Sequence, residues 1–352
     1  MTLPDPRPDL GLREGYHSPQ VDVPVRLNTN ESPLPPPPEW SARLAEEVAA
    51  ISWNRYPDRQ ATGLRAALAR LHGVRPDQVF CANGSNEVLQ SLCLAYGGPG
   101  RSVAVFEPTY ALHAHIAHLT GTAVAEGRRR PDFSLDLDQV RDVVAAARPV
   151  LTFLCSPNNP TGLADDPTAV RTVVEETGGL VVVDEAYGQF GDWSAIEMVS
   201  DDRPLVVTRT FSKTWSMAAA RLGYLLGPAP VVATLERVTL PYHLDAFKQA
   251  AGRLAVEFVG KMEERVGLIV RERQRILAAF ARLPVTAWPS QSNFVLFRPE
   301  SRKGGEVWSG LLERGVLVRD TSSWPGLAGC LRVTVGTPEE NDRFLAALEE
   351  VL

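Results

Sequence analysis

Lysine is nearly absent from this 352-residue chain. Four of its 36 basic residues are lysine (Lys213, Lys248, Lys261, Lys303) and the rest are arginine. Any chemistry that needs a side-chain amine therefore has four candidates. Cysteine is scarce as well: Cys81, Cys93, Cys155 and Cys330 are scattered, with no C-x-x-C pair. That spacing excludes a disulfide framework and a zinc ribbon, and it suits a reducing, cytoplasmic setting. No apolar run approaches the roughly 18 residues of a membrane span. The opening MTLPDPRPDL lacks the apolar stretch of a signal peptide and reads as a polar leader. Excess positive charge is missing too. A formal net charge of −6 argues against a nucleic-acid partner or a basic membrane-surface protein. What is present, 44% hydrophobic and 22% charged residues, is ordinary globular composition, long enough for two domains with an ample core.

Residues 1–38 are irregular and proline-rich, ending in ESPLPPPP, and residues 1–40 read as an N-terminal arm that joins the smaller domain. Trp40, Leu44, Val48 and Ile51 are spaced as one helix, and Leu64, Leu68 and Leu71 as a second. A rhythm then begins. Short β-branched runs at Val79–Cys81, Val103–Phe106, Val150–Leu154, Leu180–Val183 and Leu205–Thr208 alternate with helical or loop stretches. Runs such as LVVV are apolar on both faces, as a parallel sheet covered on both sides requires. Residues 41–245 thus read as a large α/β domain, with a mostly parallel central sheet flanked by helices. Residues 246–352 read as a smaller α+β domain: a long helix over Ala246–Leu283, then strands at Asn293–Phe297, Val316–Arg319 and Leu331–Val335. A last helix opens on the capping box Thr337-Pro338-Glu339-Glu340.

In a parallel α/β sheet, ligands bind beyond the carboxyl ends of the strands. Four such ends carry polar residues. Asn83-Gly84-Ser85-Asn86 opens a helix, where free backbone N–H groups and the positive dipole end make a phosphate seat; a plain cap by Ser85 or Asn86 is the alternative. Lys213 follows Ser212 and precedes Arg221, so it is either a second wall of a phosphate site or an amine that forms a Schiff base. Asp184 ends an apolar strand, and a carboxylate buried there wants a cation such as a protonated pyridine nitrogen. SPNNPTG follows the strand at Val150–Leu154. Phosphate seat, lysine and strand-end aspartate together suit pyridoxal 5'-phosphate.

With these residues in view, the chain resembles the fold-type I aminotransferases and, within them, the histidinol-phosphate aminotransferases. LNTNESPLPPP is similar to the family's N-terminal LNxNENP stretch. RYPD, ANGSNE, FEPTY, SPNNPTG, VVDEAY, TFSKTWSMAAARLGY, SNFVLF, GVLVRD and LRVTVGT follow in the family's order over nearly the whole chain. The resemblance implies that Lys213 holds the cofactor as a Schiff base and moves the proton. Asp184 would pair with the pyridinium nitrogen, Asn159 and Tyr187 would bond the ring's phenolic oxygen, and Tyr110 would stack on the ring. Gly84, Ser85, Asn86, Ser212 and Arg221 would hold the phosphate. Tyr56, in RYPD, would reach the neighbouring subunit's cofactor, which implies a homodimer with shared sites. Arg332, with Arg319 beside it, would take the substrate's anionic group. Tyr16 and Tyr242 would line the imidazole side.

The residues themselves support the two arginines. Alternation along Leu331–Val335 sets Arg332 and Thr334 opposite Leu331, Val333 and Val335. Two arginine forks suit a phosphate or carboxylate better than lysine would. The implied substrates are histidinol phosphate or imidazole-acetol phosphate, with glutamate and 2-oxoglutarate as the other couple. An aromatic aminotransferase or a threonine-phosphate decarboxylase could use the same scaffold, and a non-catalytic pyridoxal-phosphate-binding relative is the reading of a different class. NESP in place of NENP, Leu34 and the bulky Trp215 depart from the family pattern. His113, His115 and His118 have no acidic or cysteine partner in register, so a packed or solvated helix face is expected rather than a metal. Arg128-Arg129-Arg130 reads as an exposed loop.

Overall fold

The computed structural model describes Leu3 and residues 20–352. Strand β1 (Val25–Leu27) is followed by helices α1 (Pro38–Ala49) and α2 (Thr62–His72). Next come β2 (Val79–Ala82), α3 (Ser85–Tyr96), β3 (Ser102–Glu107), α4 (Leu112–Leu119), β4 (Ala123–Arg128) and α5 (Leu137–Ala147). The alternation continues with β5 (Leu151–Cys155), α6 (Pro167–Glu176), β6 (Leu180–Asp184), β7 (Leu205–Thr210) and β8 (Gly223–Leu226). Helices α7 (Ala229–Val238), α8 (Ala246–Glu257) and α9 (Val259–Phe280) lead to β9 (Val285–Ala287) and β10 (Phe294–Pro299). The chain ends with α10 (Gly304–Glu313), β11 (Val316–Asp320), β12 (Leu331–Thr334) and α11 (Pro338–Val351).

Strands β2 to β8 form a seven-stranded sheet in the order β2-β8-β7-β6-β5-β3-β4. It is mostly parallel, with β8 antiparallel to both neighbours. The side-chain period of two sorts the sheet's apolar residues into two cores. Val103, Val105, Phe153, Val182 and Val206 pack with Val88, Leu89 and Leu92 of α3 and Val232 and Leu235 of α7. Their neighbours Ala104, Phe106, Leu154, Val181, Val183 and Val207 face the other way, onto Val140 of α5 and Val170, Val173 and Val174 of α6. Both faces are covered, so each central strand can be apolar throughout. From β3 the chain moves outward to β4, then returns to place β5 on the other side of β3. The order of connections reverses there, and the crevice beyond the carboxyl ends of β5 and β6 opens beside that reversal.

A second sheet, β1-β11-β12-β10-β9, has β1 parallel to β11 and the other pairs antiparallel. It packs on α9, α10 and α11 through Phe280, Phe294, Phe297, Leu311 and Phe344. Thr337 caps α11 as its sequence signature predicts: Glu340 N–H donates to Thr337 Oγ1, and Thr337 N–H donates to the Glu340 carboxylate.

The expected single helix over 246–283 is two helices, broken at Phe258. Phe258 lies under the Arg43 guanidinium, 5.8 Å from its ring centre. The break lets Ala251, Leu254 and Ala255 of α8 pack with Trp40 of α1 and Leu64 and Leu68 of α2. Along α9, Met262 still belongs to that core, while Ile269 and Ile276 belong to the core of the second sheet. Packing therefore changes over within α9, some residues beyond 246. Strands β1, β4, β8 and β9 have no counterpart in the sequence pattern, and β1 falls within the arm expected to be irregular, where it pairs with β11. β4 is an edge strand, mostly exposed or half-buried, whose AVAEGR sequence has valine as its one bulky apolar residue, and β8 opens on glycine and runs on closely from the Lys213 loop.

The triple arginine is not simply an exposed loop. Arg128 and Arg130 are exposed, but Arg129 is buried. Its two terminal nitrogens meet the Asp165 carboxylate at 2.5 and 3.1 Å. A buried guanidinium needs such a planar partner, and the carboxylate raises its affinity for its proton.

Candidate active site

The loops after β2, β3, β5, β6 and β7 surround a cavity of about 380 Å³. Lining it are Ser85, Asn86, Tyr110, Asn159, Asp184, Tyr187, Ser212, Lys213, Arg221 and Arg332, together with Cys155 and the segment Thr29–Glu31.

At one end, α3 begins without a side-chain cap on its first turn. Gly84, at φ 87°, brings the chain into that turn; a β-carbon there would lie 2.9 Å from Arg221 Nη2. Arg221 Nη1 donates to Ser212 Oγ at 3.3 Å, and Thr210 Oγ1 donates to the same oxygen at 3.0 Å. Uncapped N–H groups, a hydroxyl and a guanidinium thus face one another, a cradle for a dianion. The alternative of a plain Ser85 or Asn86 cap is not what forms.

On the cavity floor, Asp184 is almost completely buried. It accepts from Thr208 Oγ1 and from Ala186 N–H, each at 3.1 Å, and lies 3.1 Å from His113 Nε2. His113 is stacked on Phe153 and meets Tyr110 edge-on. The sequence predicts a packed or solvated helix face for His113. It is packed, but it also supports the strand-end carboxylate. The available signal was its place one turn after Tyr110, at the start of α4, from which it reaches Phe153 of β5 and Asp184 of β6.

Lys213 Nζ donates to the Thr29 carbonyl at 3.0 Å and lies 5.9 Å from the Tyr187 ring centre. Burial, then the positive charge of Arg332 and of Arg221, pulls its ammonium down to about 7, against an opposing pull from Glu31. Near neutral pH this amine exists in both protonation states. Tyr187 Oη accepts from Asn30 Nδ2 at 2.9 Å.

Arg332 is buried in β12 and stacks 5.0 Å above Phe294. Its guanidinium donates to Asn159 Oδ1 and, at 2.9 Å, to the Asn28 carbonyl. Arg319 is directly opposite it in the β11–β12 register and is also buried, but Arg319 does not line the cavity. Two further expected residues lie elsewhere within this chain. Tyr242 and Tyr56 stack on each other at 4.5 Å, away from Lys213. Tyr242 borders a separate hollow with Arg65, Cys81 and His243, because the turn after α7 carries it past the β2 edge of the sheet. Tyr16 lies outside the described residues. Asn28, Thr29 and Asn30 are the residues sequence reasoning missed. Their hold on the site is partly through backbone carbonyls, which no side-chain pattern reveals.

A family model for aminotransferases of class I and II matches residues 22–348. The chain belongs to the class I and II aminotransferases. Members of this family depend on pyridoxal 5'-phosphate. Among its relatives, a histidinol-phosphate aminotransferase of Frankia casuarinae is 46% identical, over 96% of this chain and 87% of that protein. One of Streptomyces avermitilis is 44% identical, over 98% and 96%. The fold is shared with the histidinol-phosphate aminotransferase of Sinorhizobium meliloti, solved in complex with pyridoxal-5'-phosphate. The TM-score is 0.85 at 24% identity, covering 94% of this chain and 91% of that one.

Proposed function

We propose that this aminotransferase is a histidinol-phosphate:2-oxoglutarate aminotransferase of histidine biosynthesis, acting in the cytoplasm as a homodimer with shared sites. The observation that carries the reading is the cavity itself. It joins Lys213, a buried carboxylate and two separate anion-holding groups, one for a cofactor phosphate and one for a substrate anion. The identity of 41–46% to proteins named histidinol-phosphate aminotransferase supports the choice among substrates.

The residues fit pyridoxal phosphate. The uncapped turn at Ser85-Asn86, with Ser212 and Arg221, suits its phosphate. Asp184, held as an acceptor by Thr208 and Ala186 N–H, suits a protonated pyridine nitrogen. Tyr110 borders the ring position, and Asn159 and Tyr187 supply hydrogen bonds to its edge. When bound, the cofactor supplies an electron sink for the charge that develops on the substrate carbon.

The chain's own residues do the rest. Arg332, pinned by Asn159 and Asn28, holds the substrate's anion, either the glutamate carboxylate or the histidinol phosphate group. One site thereby serves both half-reactions. Lys213 Nζ, neutral in part at pH 7, would serve as the base that takes up the proton from the substrate carbon and as the acid that gives it back. Asp184, held by Thr208 Oγ1, Ala186 N–H and His113, would accept a hydrogen bond from the cofactor's ring nitrogen.

Steady-state kinetics with histidinol phosphate, phenylalanine and threonine phosphate test the proposal. The expected result is a large preference in kcat/KM for histidinol phosphate over phenylalanine, no carbon dioxide from threonine phosphate, and no turnover by Lys213→Ala. Equal use of phenylalanine, or carbon dioxide release, would overturn it.

A further inference from the structure

The cavity is cationic, with one exposed exception. Lys213, Arg221 and Arg332 line it, and among the described residues only Asp184 and Glu31 oppose them. Asp184 lies buried on the floor and is engaged by three groups. Glu31 is exposed at the cavity's mouth and faces the same space, close enough to act on the Lys213 charge. Its carboxylate accepts from Thr29 Oγ1 at 3.0 Å.

The chain on both sides of Glu31 is tied down. Asn28 O accepts from Arg332 and Thr29 O from Lys213. Asn30 is buried in a left-handed conformation, φ 56°, where it bonds Tyr187, Thr334 and Asn293. On the other side, Ser32 Oγ is 2.8 Å from Ser216 Oγ, which donates to it. A glutamate between two such anchors has lost little further freedom by pointing at a ligand. It also has no use for the substrate's anion, which Glu31 repels and Arg332 attracts. What a carboxylate at the mouth recognises is a donor: an N–H of a nitrogen-containing ring.

We propose that Glu31 is a specificity-determining residue that accepts a hydrogen bond from the ring N–H of the amino substrate, at the end away from its phosphate. This rests on the histidinol-phosphate reading above. Imidazole offers such a donor and a phenyl ring does not. A charge-assisted hydrogen bond of this kind separates the two rings by about tenfold or more.

The test compares histidinol phosphate with phenylalaninol phosphate, which keeps the amine and phosphate and replaces only the ring. In the wild type, kcat/KM favours histidinol phosphate. In Glu31→Ala the ratio between the two narrows by about tenfold or more, and in Glu31→Gln, which keeps a neutral acceptor, it narrows less. Calorimetric dissociation constants of both compounds, measured on cofactor-loaded Lys213→Ala with and without Glu31→Ala, show the same narrowing. A fall of equal size for both substrates would mean that Glu31 acts only through the Lys213 charge, and it would overturn the proposal. So would an unchanged ratio. The two readings separate cleanly. A wild type that ignores histidinol phosphate refutes the function and Glu31's role together, whereas a selective wild type with an unaltered variant ratio refutes only the latter.

Discussion

Lys213 illustrates how much one residue's surroundings decide. Its amine is pulled down to about 7 by burial and by Arg332 and Arg221, whereas an unfolded chain holds that proton to about 10.4. Between those values the unfolded state binds the proton and the folded state does not, so this group makes cofactor-free protein more stable as pH rises from 7 to 10. Below pH 7 the folded protein bears the full cost of a buried ammonium. Cofactor-free Lys213→Met should therefore be more stable than wild type at pH 6, and the gap should shrink as pH rises to 9. Urea midpoints at the two values check this, and a gap independent of pH would contradict it. His113 gives a second expectation. His113→Phe keeps a ring against Phe153 but removes the nitrogen beside Asp184. If His113 is a positioning residue, the substitution should raise the dissociation constant for pyridoxal phosphate and shift the pH at which the bound cofactor's absorbance titrates, while the melting temperature of the cofactor-free protein changes little. An absorbance titration identical to wild type would leave His113 with packing alone. Side chains at strand ends, such as Lys213 and Asp184, were legible in the sequence because their chemistry follows from where apolar runs stop. His113 and Thr29 were not. One acts across two strands and the other through its carbonyl, and sequence spacing carries neither.

Elements show the same division. The central strands β5, β6 and β7 were legible because burial on both faces writes continuous apolar runs. The helix α11 was legible because its cap is local. Strand β4 and the break at Phe258 were not, since an edge strand needs little hydrophobicity and the break follows from which core each half of the helix meets. The start of α3 belongs at this scale. Its function as an anion seat depends on an uncapped turn, on Gly84 at φ 87°, and on close passage of Gly223 beneath it, where a β-carbon would lie 2.3 Å from Ser85 N. Gly84→Ala puts a methyl group in the left-handed region and 2.9 Å from Arg221 Nη2, so the guanidinium must move. The expected outcome is a loss of about tenfold or more in pyridoxal phosphate affinity, the scale of one charged hydrogen bond. Equilibrium titration of the cofactor's absorbance measures it. Pyridoxal without the phosphate should bind wild type and variant alike, so equal losses for both forms would show a general collapse of the cavity rather than a damaged phosphate seat.

At the scale of the whole molecule, one chain leaves a set of side chains that its own cavity does not use. Tyr56 is 79% exposed yet stacked face to face on Tyr242, and Trp53 and Leu240 are 70% and 78% exposed. Large rings held in order at a surface have the character of an interface anchor. The proposed homodimer gives them a place, with Tyr56 of one protomer completing the partner's site. That arrangement makes a prediction that a self-contained site does not. Lys213→Ala and Tyr56→Ala should each be impaired as pure dimers, because every site then lacks one of the two groups. Unfolding and refolding the two variants together in equal amounts makes half the dimers mixed. Each mixed dimer pairs an intact Lys213 with an intact Tyr56 in one of its two sites, so about a quarter of wild-type activity should return. The recovered activity should run with the dimer on size exclusion and should be absent when the two are mixed without refolding. If Tyr56→Ala alone is fully active, or if the refolded mixture gains nothing over its parents, each chain works by itself and the exposed tyrosines serve some other contact.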